Sequence, residues 1–397
     1  MDDRKHDDFF SASESRSSTR RQDIVPMHIA HLTSVHPRYD TRIFIKQCRS
    51  LTANGYEVSL IVADGKGDEQ KDGVTVLDVG KPSGRLNRVL KTTRRVFNKA
   101  IEIDAQIYHL HDPELIPIGL RLRRLGKRVI FDAHEDVPKQ LLVKPYLGPF
   151  RRRILAYLFS RYERYACSRL DGIVAATPSI GDKFVSINAR TTVISNFPLL
   201  DELHAEVSWD NKRDQVCYVG VISEIRGIRE IIESLGDVKS SAKLMLAGMF
   251  AEEDVESDVK TLPGWKRVSA LGFVDRNRMR HLLGESVAGL VTFHPLPNHI
   301  DAQPNKMFEY MSAGIPVIAS NFPLWREIIE GNDCGICVDP LDSSAIASAI
   351  DELVTDRGKA QILGENGRNA VLNQYNWPAE EEKLLSLYSS LLRESQE

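Results

Sequence analysis

No run of apolar residues in this chain of 397 residues is longer than a β-strand. A membrane-spanning helix needs about 20 consecutive apolar residues, so none is predicted. The first 23 residues also lack the apolar segment of a secretory signal, and their Ser, Asp and Arg content is typical of a disordered tail. We therefore expect a cytoplasmic protein whose ordered part follows a tail over residues 1–23.

Cysteine is also scarce, with five residues scattered along the chain. Cys334 and Cys337 have the spacing of a redox pair, but they lie far from the first βα unit, and no second pair completes a zinc site. The G-x-G-x-x-G sequence of nicotinamide-binding domains and the Walker sequence of a P-loop are both absent. We expect ordinary reduced cysteines and neither of those nucleotide sites.

Acidic residues are in the minority in the first half of the chain, although the formal net charge of the whole is −3. Between Ile24 and Phe197 there are 28 Lys and Arg residues against 17 Asp and Glu residues, whereas residues 198–397 have a balance of −13. A chain of this length exceeds what one hydrophobic core usually serves, so we expect two domains. The basic first half indicates an anionic partner for that half alone.

Strand and helix signals alternate along the chain, and the alternation restarts at Gln215. Repeated βαβ units predict a parallel sheet with helices on both faces. The predicted fold class is therefore α/β, with two doubly wound, Rossmann-like domains that face each other across a cleft. The segment Asn196-Phe197-Pro198 marks the predicted hinge, which places the first domain at residues 24–197 and the second at residues 198–375.

The segment from His299 to Ser320 is the most informative part of the chain. It begins with polar residues, contains Asn305 and Lys306, and places Glu309 early in a short amphipathic helix. The free N–H groups and positive dipole end of a helix N-terminus bind phosphate, and an acidic side chain can hold ribose hydroxyls. We therefore predict a nucleotide-sugar site in this segment.

Polar residues follow the predicted strands of the first half. The segment after the first strand suits an anionic or hydroxyl-rich ligand, although a solvated turn capped by Asp40 or Thr41 has the same composition. The segment 109–114 could satisfy a metal, but no third ligand stands at a helpful spacing, so a hydrogen-bonding loop is favoured. The candidate ligand-binding residues in these segments, which would bind the acceptor in a sugar transfer, are His36, Arg38, Asp40, Arg42 and His111.

Two further strand ends carry candidate residues. His134 ends a strand of the first half and could donate to a sugar hydroxyl or carry a proton, because imidazole titrates near neutrality. In the second half, Gly220 permits the close approach of a ligand, and Arg226 could form paired hydrogen bonds with a diphosphate. Both strand ends would face the predicted cleft.

Basic residues recur at helical spacing in the first half. They form either solvated helix faces or a peripheral contact with an anionic membrane, to which each exposed cation would contribute about 1 kcal/mol. No aromatic platform lies between them, so a nucleic acid partner is not expected. The residues are Arg85, Arg88, Lys91, Arg94, Arg95, Lys99, Arg151, Arg152 and Arg153.

Four motifs in this order and spacing resemble those of the retaining glycosyltransferases of family 4 (glycosyl transferases group 1), which have the GT-B fold of two Rossmann-like domains. The motifs are VISNFP, YVGVISEIRGI, PNKMFEYMSAGIPVIAS and NQYNWPAEEEKLLSLY. The resemblance covers about residues 25–392. It implies a hexosyltransferase whose C-terminal helix, residues 376–397, packs back on the first domain.

The resemblance also assigns roles to single residues. Glu309 matches the second acid of the family's paired acidic motif and is implied to bind the ribose hydroxyls of the nucleotide. Asp301 takes the place of the first acid, which touches the donor sugar, and it is shorter than the usual Glu. Arg226 takes the position of the family's lysine at the diphosphate, whereas the usual arginine position holds Val221.

The implied reaction transfers a sugar, with retention, from a UDP- or GDP-sugar to a hydroxyl of a lipid-linked or oligosaccharide acceptor. His134 matches the histidine that is implied to contact the donor sugar and assist the reaction, and Lys306 is our candidate for the charge missing at position 221. Side chains and the helix dipole would neutralise the departing diphosphate, so neither a metal nor a cofactor is expected. No carboxylate pair across the cleft is evident for a double displacement.

Two alternatives stay open. A nucleotide-sugar 2-epimerase would use a similar cleft without an acceptor, and a non-catalytic nucleotide- or polysaccharide-binding protein would tolerate the departures at Asp301 and Val221. The basic first half favours a lipid-linked acceptor over epimerisation. The resemblance implies a setting in bacterial surface polysaccharide biosynthesis, for exopolysaccharide or lipopolysaccharide, with peripheral contact at the inner face of the cell membrane.

Overall fold

The computed structural model describes residues 27–143, 148–200, 202–205 and 207–393. The predicted tail over residues 1–23 lies outside this part of the chain. Two β-sheets with helices packed against them make up the described residues. The predicted α/β fold class with two doubly wound sheets is confirmed.

Eight strands form the first sheet: β1 (His28–Leu32), β2 (Glu57–Val62), β3 (Glu69–Lys71), β4 (Val74–Asp78), β5 (Ile107–Leu110), β6 (Arg128–Ala133), β7 (Gly172–Ala175) and β8 (Thr191–Val193). Their order in the sheet is β3-β4-β2-β1-β5-β6-β7-β8. Neighbours are parallel except β3 and β4, which are antiparallel. The sequence does not predict β3, because its three residues are polar and pair only at the sheet edge.

Six parallel strands form the second sheet: β9 (Gln215–Val219), β10 (Lys243–Ala247), β11 (Val268–Gly272), β12 (Ala288–Val291), β13 (Val317–Ser320) and β14 (Gly335–Val338). Their order is β11-β10-β9-β12-β13-β14. The chain therefore starts at the centre of each sheet and builds outward to both edges. Such an order places ligands at the carboxyl ends of the central strands.

Helices fill the connections of the first sheet. The α-helices are α1 (Arg49–Ala53), α2 (Arg85–Asn87), α3 (Thr93–Ile103), α4 (Ile116–Arg124), α5 (Val137–Val143), α6 (Pro149–Cys167) and α7 (Pro178–Val185). Wider π-helical turns precede α1 and α3 at Thr41–Cys48 and Arg88–Thr92, and a 3₁₀ turn precedes α4 at Pro113–Leu115. The side chain of Asp40 accepts from the N–H groups of Arg42 and Ile43 and so begins the first helical segment.

Helices also fill the connections of the second sheet and end the chain. They are α8 (Ile228–Asp237), α9 (Glu253–Val259), α10 (Arg276–Glu285), α11 (Asn305–Ser312), α12 (Pro323–Ile329), α13 (Ser343–Thr355), α14 (Arg357–Asn373) and α15 (Trp377–Arg393). Short 3₁₀ turns lie at Trp209–Asn211, Glu224–Arg226 and Pro263–Arg267. Within the residues that the structure describes, every helix is too short or too polar to span a bilayer.

The first sheet is buried on both faces because alternate residues of its central strands point to opposite sides. Ile107 and Ile130 belong to a core that includes Leu384 of α15. Tyr108 and Phe131, the next residues along the same strands, belong to the core on the other side. The long apolar strands of this half are explained by burial on both faces.

Helix α15 packs on the first sheet although it follows the second sheet in the chain. The indole Nε1 of Trp377 donates to the hydroxyl of Ser50 at 2.9 Å. A carboxylate oxygen of Glu380 accepts from the backbone N–H of Ser195 at 2.7 Å. The sheets themselves divide between Val193 and Gln215, and the domain boundaries at residues 197 and 375 stay predictions.

Candidate active site

A cleft of about 920 Å³ lies where the carboxyl ends of strands from both sheets converge. The first sheet contributes His134, which follows β6, and the second contributes Gly220, which follows β9. The predicted donor-site residues all line this cleft, and their roles stay predictions. They are Gly220, Arg226, Asp301, Asn305, Lys306 and Glu309.

The ammonium of Lys306, at the start of α11, is buried without a partner. Its Nζ lies 3.4 Å from the centre of the Tyr218 ring, and none of the described residues forms a hydrogen bond with it. Burial, helped by the neighbouring charge of Arg226, holds the pKa of Lys306 well below its usual value. An unpaired buried cation is costly, and an anion bound beside it would remove that cost.

Two glycines form the floor of the cleft beside Lys306. Gly220 has a φ of +104°, and a Cβ there would lie 3.7 Å from Cε of Lys306. Gly248 has a φ of +146°, and a Cβ there would overlap the carbonyl oxygen of Gly220. Side chains are therefore excluded at both positions, which leaves backbone open to a ligand next to the ammonium.

Arg276, which the sequence does not single out, holds Glu309 in place. Its Nη1 donates to Oε1 of Glu309 at 2.6 Å, while its Nε and Nη2 donate to both carboxylate oxygens of Glu202 at 2.8 and 2.7 Å. Hydrogen bonds from Arg276 therefore leave Oε2 of Glu309 available for a ribose hydroxyl. The one sequence signal for Arg276 is its place directly after Asp275, the capping residue of α10 at a strand end.

Asp301 pairs with a residue of the opposite half. Nζ of Lys139, on α5, lies 2.9 Å from Oδ2 of Asp301, and both side chains are partly exposed in the cleft. The sequence does not predict α5, whose second residue is Pro138. The ion pair therefore joins the two walls of the cleft at the position that the resemblance gives to the donor sugar.

His134 enters the cleft supported by a buried carboxylate. Its Nε2 lies 3.3 Å from Oδ2 of Asp132, which also accepts from Gln47 at 2.8 Å. Arg42 donates to both oxygens of Asp132 at 2.9 and 2.7 Å. Burial alone would raise the pKa of Asp132, but Arg42 and His134 hold it well below the usual value. This carboxylate fixes the orientation of the His134 imidazole.

The predicted acceptor-binding residues do not all reach the cleft. Asp40 and Arg42 line it, although Arg42 is committed to Asp132 and to the carbonyl oxygen of Ile194. His36 and His111 line a second cavity beside it. Arg38 lies away from both, contrary to the sequence expectation.

Ion pairs explain the position of Arg38. Its guanidinium donates to both oxygens of Asp64 at 2.8 and 2.7 Å and to Glu69 at 2.6 Å. The side chain is buried by these contacts. Nothing in the sequence pairs Arg38 with these acids, because they lie 26 and 31 residues away. These contacts give Arg38 a structural role, and its binding of an acceptor stays a prediction.

Beneath His134, the fold supplies the third ligand that the spacing of His109 and His111 did not reveal. His31 joins them on the neighbouring strand, and the three imidazoles could hold a metal ion, as could His111 with Asp132 and His134. Nδ1 of His109 lies 2.8 Å from the hydroxyl of Tyr388. Nδ1 of His31 lies 2.9 Å from Nε2 of His111, and burial lowers the pKa of all three histidines.

Two protein families match this chain. Residues 201–370 match the family described as glycosyl transferases group 1, and residues 41–197 match glycosyltransferase family 4. Among curated proteins, the capsular polysaccharide biosynthesis glycosyltransferase CapM of Staphylococcus aureus is 27% identical over 188 residues, which is 45% of this chain and 47% of CapM. The chain thus spans about half the length of the curated relatives it matches first.

Solved structures show the same fold over almost the whole chain. Sucrose-phosphate synthase from Thermosynechococcus elongatus superposes with a TM-score of 0.75 at 18% identity, over 92% of this chain and 99% of the other. Anabaena HepE, in complex with UDP and glucose, superposes with a TM-score of 0.72 at 15% identity, over 92% and 100%. At this identity the likeness concerns the fold alone.

Proposed function

Because the chain belongs to the group 1 glycosyltransferases of GT-B fold, we propose that it transfers a sugar from a nucleotide-diphosphate sugar to a hydroxyl of an acceptor. The acceptor is a lipid-linked or oligosaccharide molecule, and the configuration of the transferred carbon is retained.

The unpartnered ammonium of Lys306 carries this proposal. It is buried at the first turn of α11, beside backbone that glycine keeps free of side chains. Arg226 and Lys306 both line the cleft, at 5.4 and 5.5 Å from the centre of the Phe293 ring, so two basic side chains face the same small volume. A diphosphate placed between them would relieve their repulsion and accept hydrogen bonds from both. HepE, which has the same fold, was solved in complex with UDP and glucose, which supports a nucleotide-sugar donor.

Other residues of the cleft would hold the rest of the donor. Oε2 of Glu309 would accept from a ribose hydroxyl while Arg276 holds its other oxygen. Asp301 would exchange its contact with Lys139 for hydroxyls of the sugar. His134, fixed by Asp132, would face the transferred sugar from the opposite wall.

The proposed chemistry follows from these positions. The bond between the sugar's anomeric carbon and the diphosphate oxygen breaks, and its electron pair leaves with the diphosphate. The acceptor hydroxyl attacks on the same face, and its proton passes to the departing phosphate oxygen. Lys306 and Arg226 neutralise the charge that develops on the diphosphate, so the proposed reaction needs no metal ion.

The setting is proposed from the charge of the first half and from a relative. CapM acts in capsular polysaccharide biosynthesis. The basic residues on α3, α6 and the turn before α3 would contact anionic lipid at the cytoplasmic face of a membrane. We propose a role in bacterial surface polysaccharide or glycolipid synthesis.

A panel of UDP- and GDP-sugars tests the function. Nucleotide release is measured with and without lipid-diphosphate and oligosaccharide acceptors, and the product is analysed for the linkage. Acceptor-dependent release with a retained linkage supports the proposal. Acceptor-independent release that gives an altered free sugar would assign a 2-epimerase, and binding without release from any donor would assign a binding protein.

A further inference from the structure

A second cavity, of about 1370 Å³, opens beside the cleft within the first half of the chain. His134, Glu135 and Gln140 line both cavities, so the second one adjoins the cleft at the residue proposed to face the transferred sugar. None of the donor-site residues of the second sheet lines it. Its position is therefore that of an acceptor rather than of a donor.

The lining of this cavity changes along its length. The strand ends near the cleft contribute polar groups, among them His36, Asp112 and Glu114. The helices away from the cleft contribute an apolar wall. The wall residues are Val89, Leu90, Phe97, Ile118, Phe159 and Tyr162. A hydrocarbon chain would bury these apolar side chains, whereas a sugar chain would find hydrogen-bond partners only at the polar residues of the same helices, Thr93, Arg94, Asn98 and Arg121.

Two cations stand in the apolar wall. Arg94 on α3 and Arg121 on α4 line the cavity, and no acid among the described residues forms an ion pair with either. The guanidinium carbon of Arg121 lies 5.9 Å from the centre of the Phe97 ring, and both arginines are exposed to solvent at the cavity. An anionic group on the ligand would be attracted to these guanidinium groups.

The outer surface of the same helices is apolar as well. Leu86 is 80% exposed, Leu90 68% and Phe150, at the start of α6, 74%. Leu86 and Leu90 are four residues apart in successive helical turns, so they form an exposed apolar strip next to the cavity that Leu90 lines. The apolar character of the cavity thus continues onto the surface, where a longer chain would leave it.

We infer that this cavity binds the hydrocarbon chain of the acceptor, which is an anionic amphiphile carrying a phosphate. The chain lies against Leu90, Phe97 and Phe159, the phosphate meets Arg94 and Arg121, and the hydroxyl-bearing end reaches His134. This inference rests on the proposed glycosyl transfer and names the acceptor class for it. A water-soluble glycan is the alternative that the apolar wall disfavours.

Alkyl phosphates below their micelle concentration are the probes. Calorimetric titration of the full chain compares decyl phosphate with methyl phosphate. Burial of one methylene group strengthens binding up to about fourfold, so decyl phosphate should bind at least tenfold more tightly even with partial burial. Equal affinity for the two probes would overturn the inference, as would displacement of decyl phosphate by maltoheptaose.

Matched variants locate the binding. Leu90→Glu should weaken decyl phosphate at least tenfold, and Leu125→Glu, an equally exposed apolar position outside the cavity, should leave it unchanged. Arg121→Gln should weaken it several-fold, and Arg124→Gln on the same helix should not. Equal losses in each variant and its control would overturn the assignment of the cavity.

The binding experiment is independent of turnover. Decyl phosphate binding is measured without donor, and donor turnover is measured with the panel of nucleotide sugars. If the affinity for alkyl phosphates did not depend on chain length while donor turnover was intact, only the assignment of an amphiphilic acceptor would be wrong. If alkyl phosphate binding depended on chain length but the protein turned over no donor, the proposed glycosyl transfer would be wrong. The acceptor assignment depends on that proposal and would fall with it.

Discussion

The ammonium of Lys46 lies 2.6 Å from Oδ1 of Asn196 and 3.1 Å from its carbonyl oxygen. Lys46 belongs to the helical segment after β1, and Asn196 belongs to the segment that the sequence predicts as a hinge. Asn196 also lines the cleft. The contact therefore ties the first helical segment to the point where the chain leaves the first sheet.

The stability of the protein should rise with pH because of Lys46. Burial lowers the pKa of Lys46 to about 7, whereas an unfolded lysine titrates near 10.5. Between these values the unfolded chain binds the proton that the folded chain has lost, so the free energy of unfolding gains about 1 kcal/mol per pH unit from this group. The penalty for burying the charge is complete below pH 7. Urea unfolding at pH 7, 8 and 9 measures the slope.

Lys46→Met should make that slope flatter, and Lys91→Met, on an exposed face, should leave it as in the wild type. If Lys46→Met and the wild type had the same slope, the lysine would titrate alike in the folded and unfolded states. The buried contact with Asn196 would then not exist in solution.

Lys306→Met should make the protein more stable and less active. The methionine removes an unpaired buried cation, so the free energy of unfolding should rise by about 1–3 kcal/mol. Loss of one group that stabilises developing charge should lower kcat about 100- to 1000-fold. Thermal unfolding and donor turnover measure the two effects, with Lys266→Met on the exposed surface as the control. A variant that is less stable and fully active would contradict both roles.

Glu309→Gln should weaken the donor through its ribose. A hydrogen bond to a charged acceptor contributes about 1.5–3 kcal/mol, so the donor's KM should rise about 10- to 100-fold. A donor lacking the ribose hydroxyl should bind the wild type as weakly as the intact donor binds Glu309→Gln, with no further loss in the variant. Additive losses would show that Glu309 and that hydroxyl do not meet. Glu202→Gln, which contacts Arg276 outside the cleft, should affect stability more than KM.

Lys139 should compete with the donor sugar for the carboxylate of Asp301. Their exposed ion pair is worth at most about 1 kcal/mol, so Lys139→Gln should lower the donor's KM by no more than about fivefold. Asp301→Asn should instead raise KM and lower kcat, because its carboxylate is proposed to hold sugar hydroxyls. Donor kinetics of both single variants and the double variant give the coupling free energy between Lys139 and Asp301. A Lys139→Gln variant with a raised KM would indicate that the lysine itself contacts the donor.

Acid should destabilise the protein through its buried histidines. Burial lowers the pKa of His109 to about 4, whereas an unfolded histidine titrates near 6.5. From pH 6.5 down to 4 the unfolded chain takes up a proton that the folded chain does not, and stability falls by up to about 1 kcal/mol per pH unit for this group. His109→Gln should reduce the slope, and the exposed His281→Gln should not. Equal slopes in the two variants would contradict a neutral buried imidazole.

Local sequence patterns predicted helix α11 and the strands other than β3. The elements that they did not predict depend on tertiary packing. The strand Arg128–Ala133 is an apolar run that burial on both faces requires. Helix α14 was missed because Gly364 and Gly367 interrupt its helical pattern. A Cβ on Gly367 would lie 3.4 Å from Met311, so close packing of α14 on α11 outweighs the helix propensity lost at the glycines.

The site was predictable only where its residues share one local motif or directly follow a strand in the sequence. Lys306 and Glu309 occur together in one motif, and His134 ends a buried strand. Arg276 could not be assigned because its two acidic partners lie 33 and 74 residues away. Lys139 likewise could not be assigned, because its partner Asp301 lies 162 residues further on and across the cleft.

The position of α15 sets the order in which the protein can be completed during synthesis. Tyr388 bonds to His109 across 279 residues, and Leu384 fills the core beneath the first sheet. The first half of the chain leaves the ribosome early, but the part of its sheet that α15 covers stays exposed until that helix has been made. The second half can close its own core in the meantime. The part that is translated first is therefore finished last, and its open apolar face is the surface that a chaperone would have to cover.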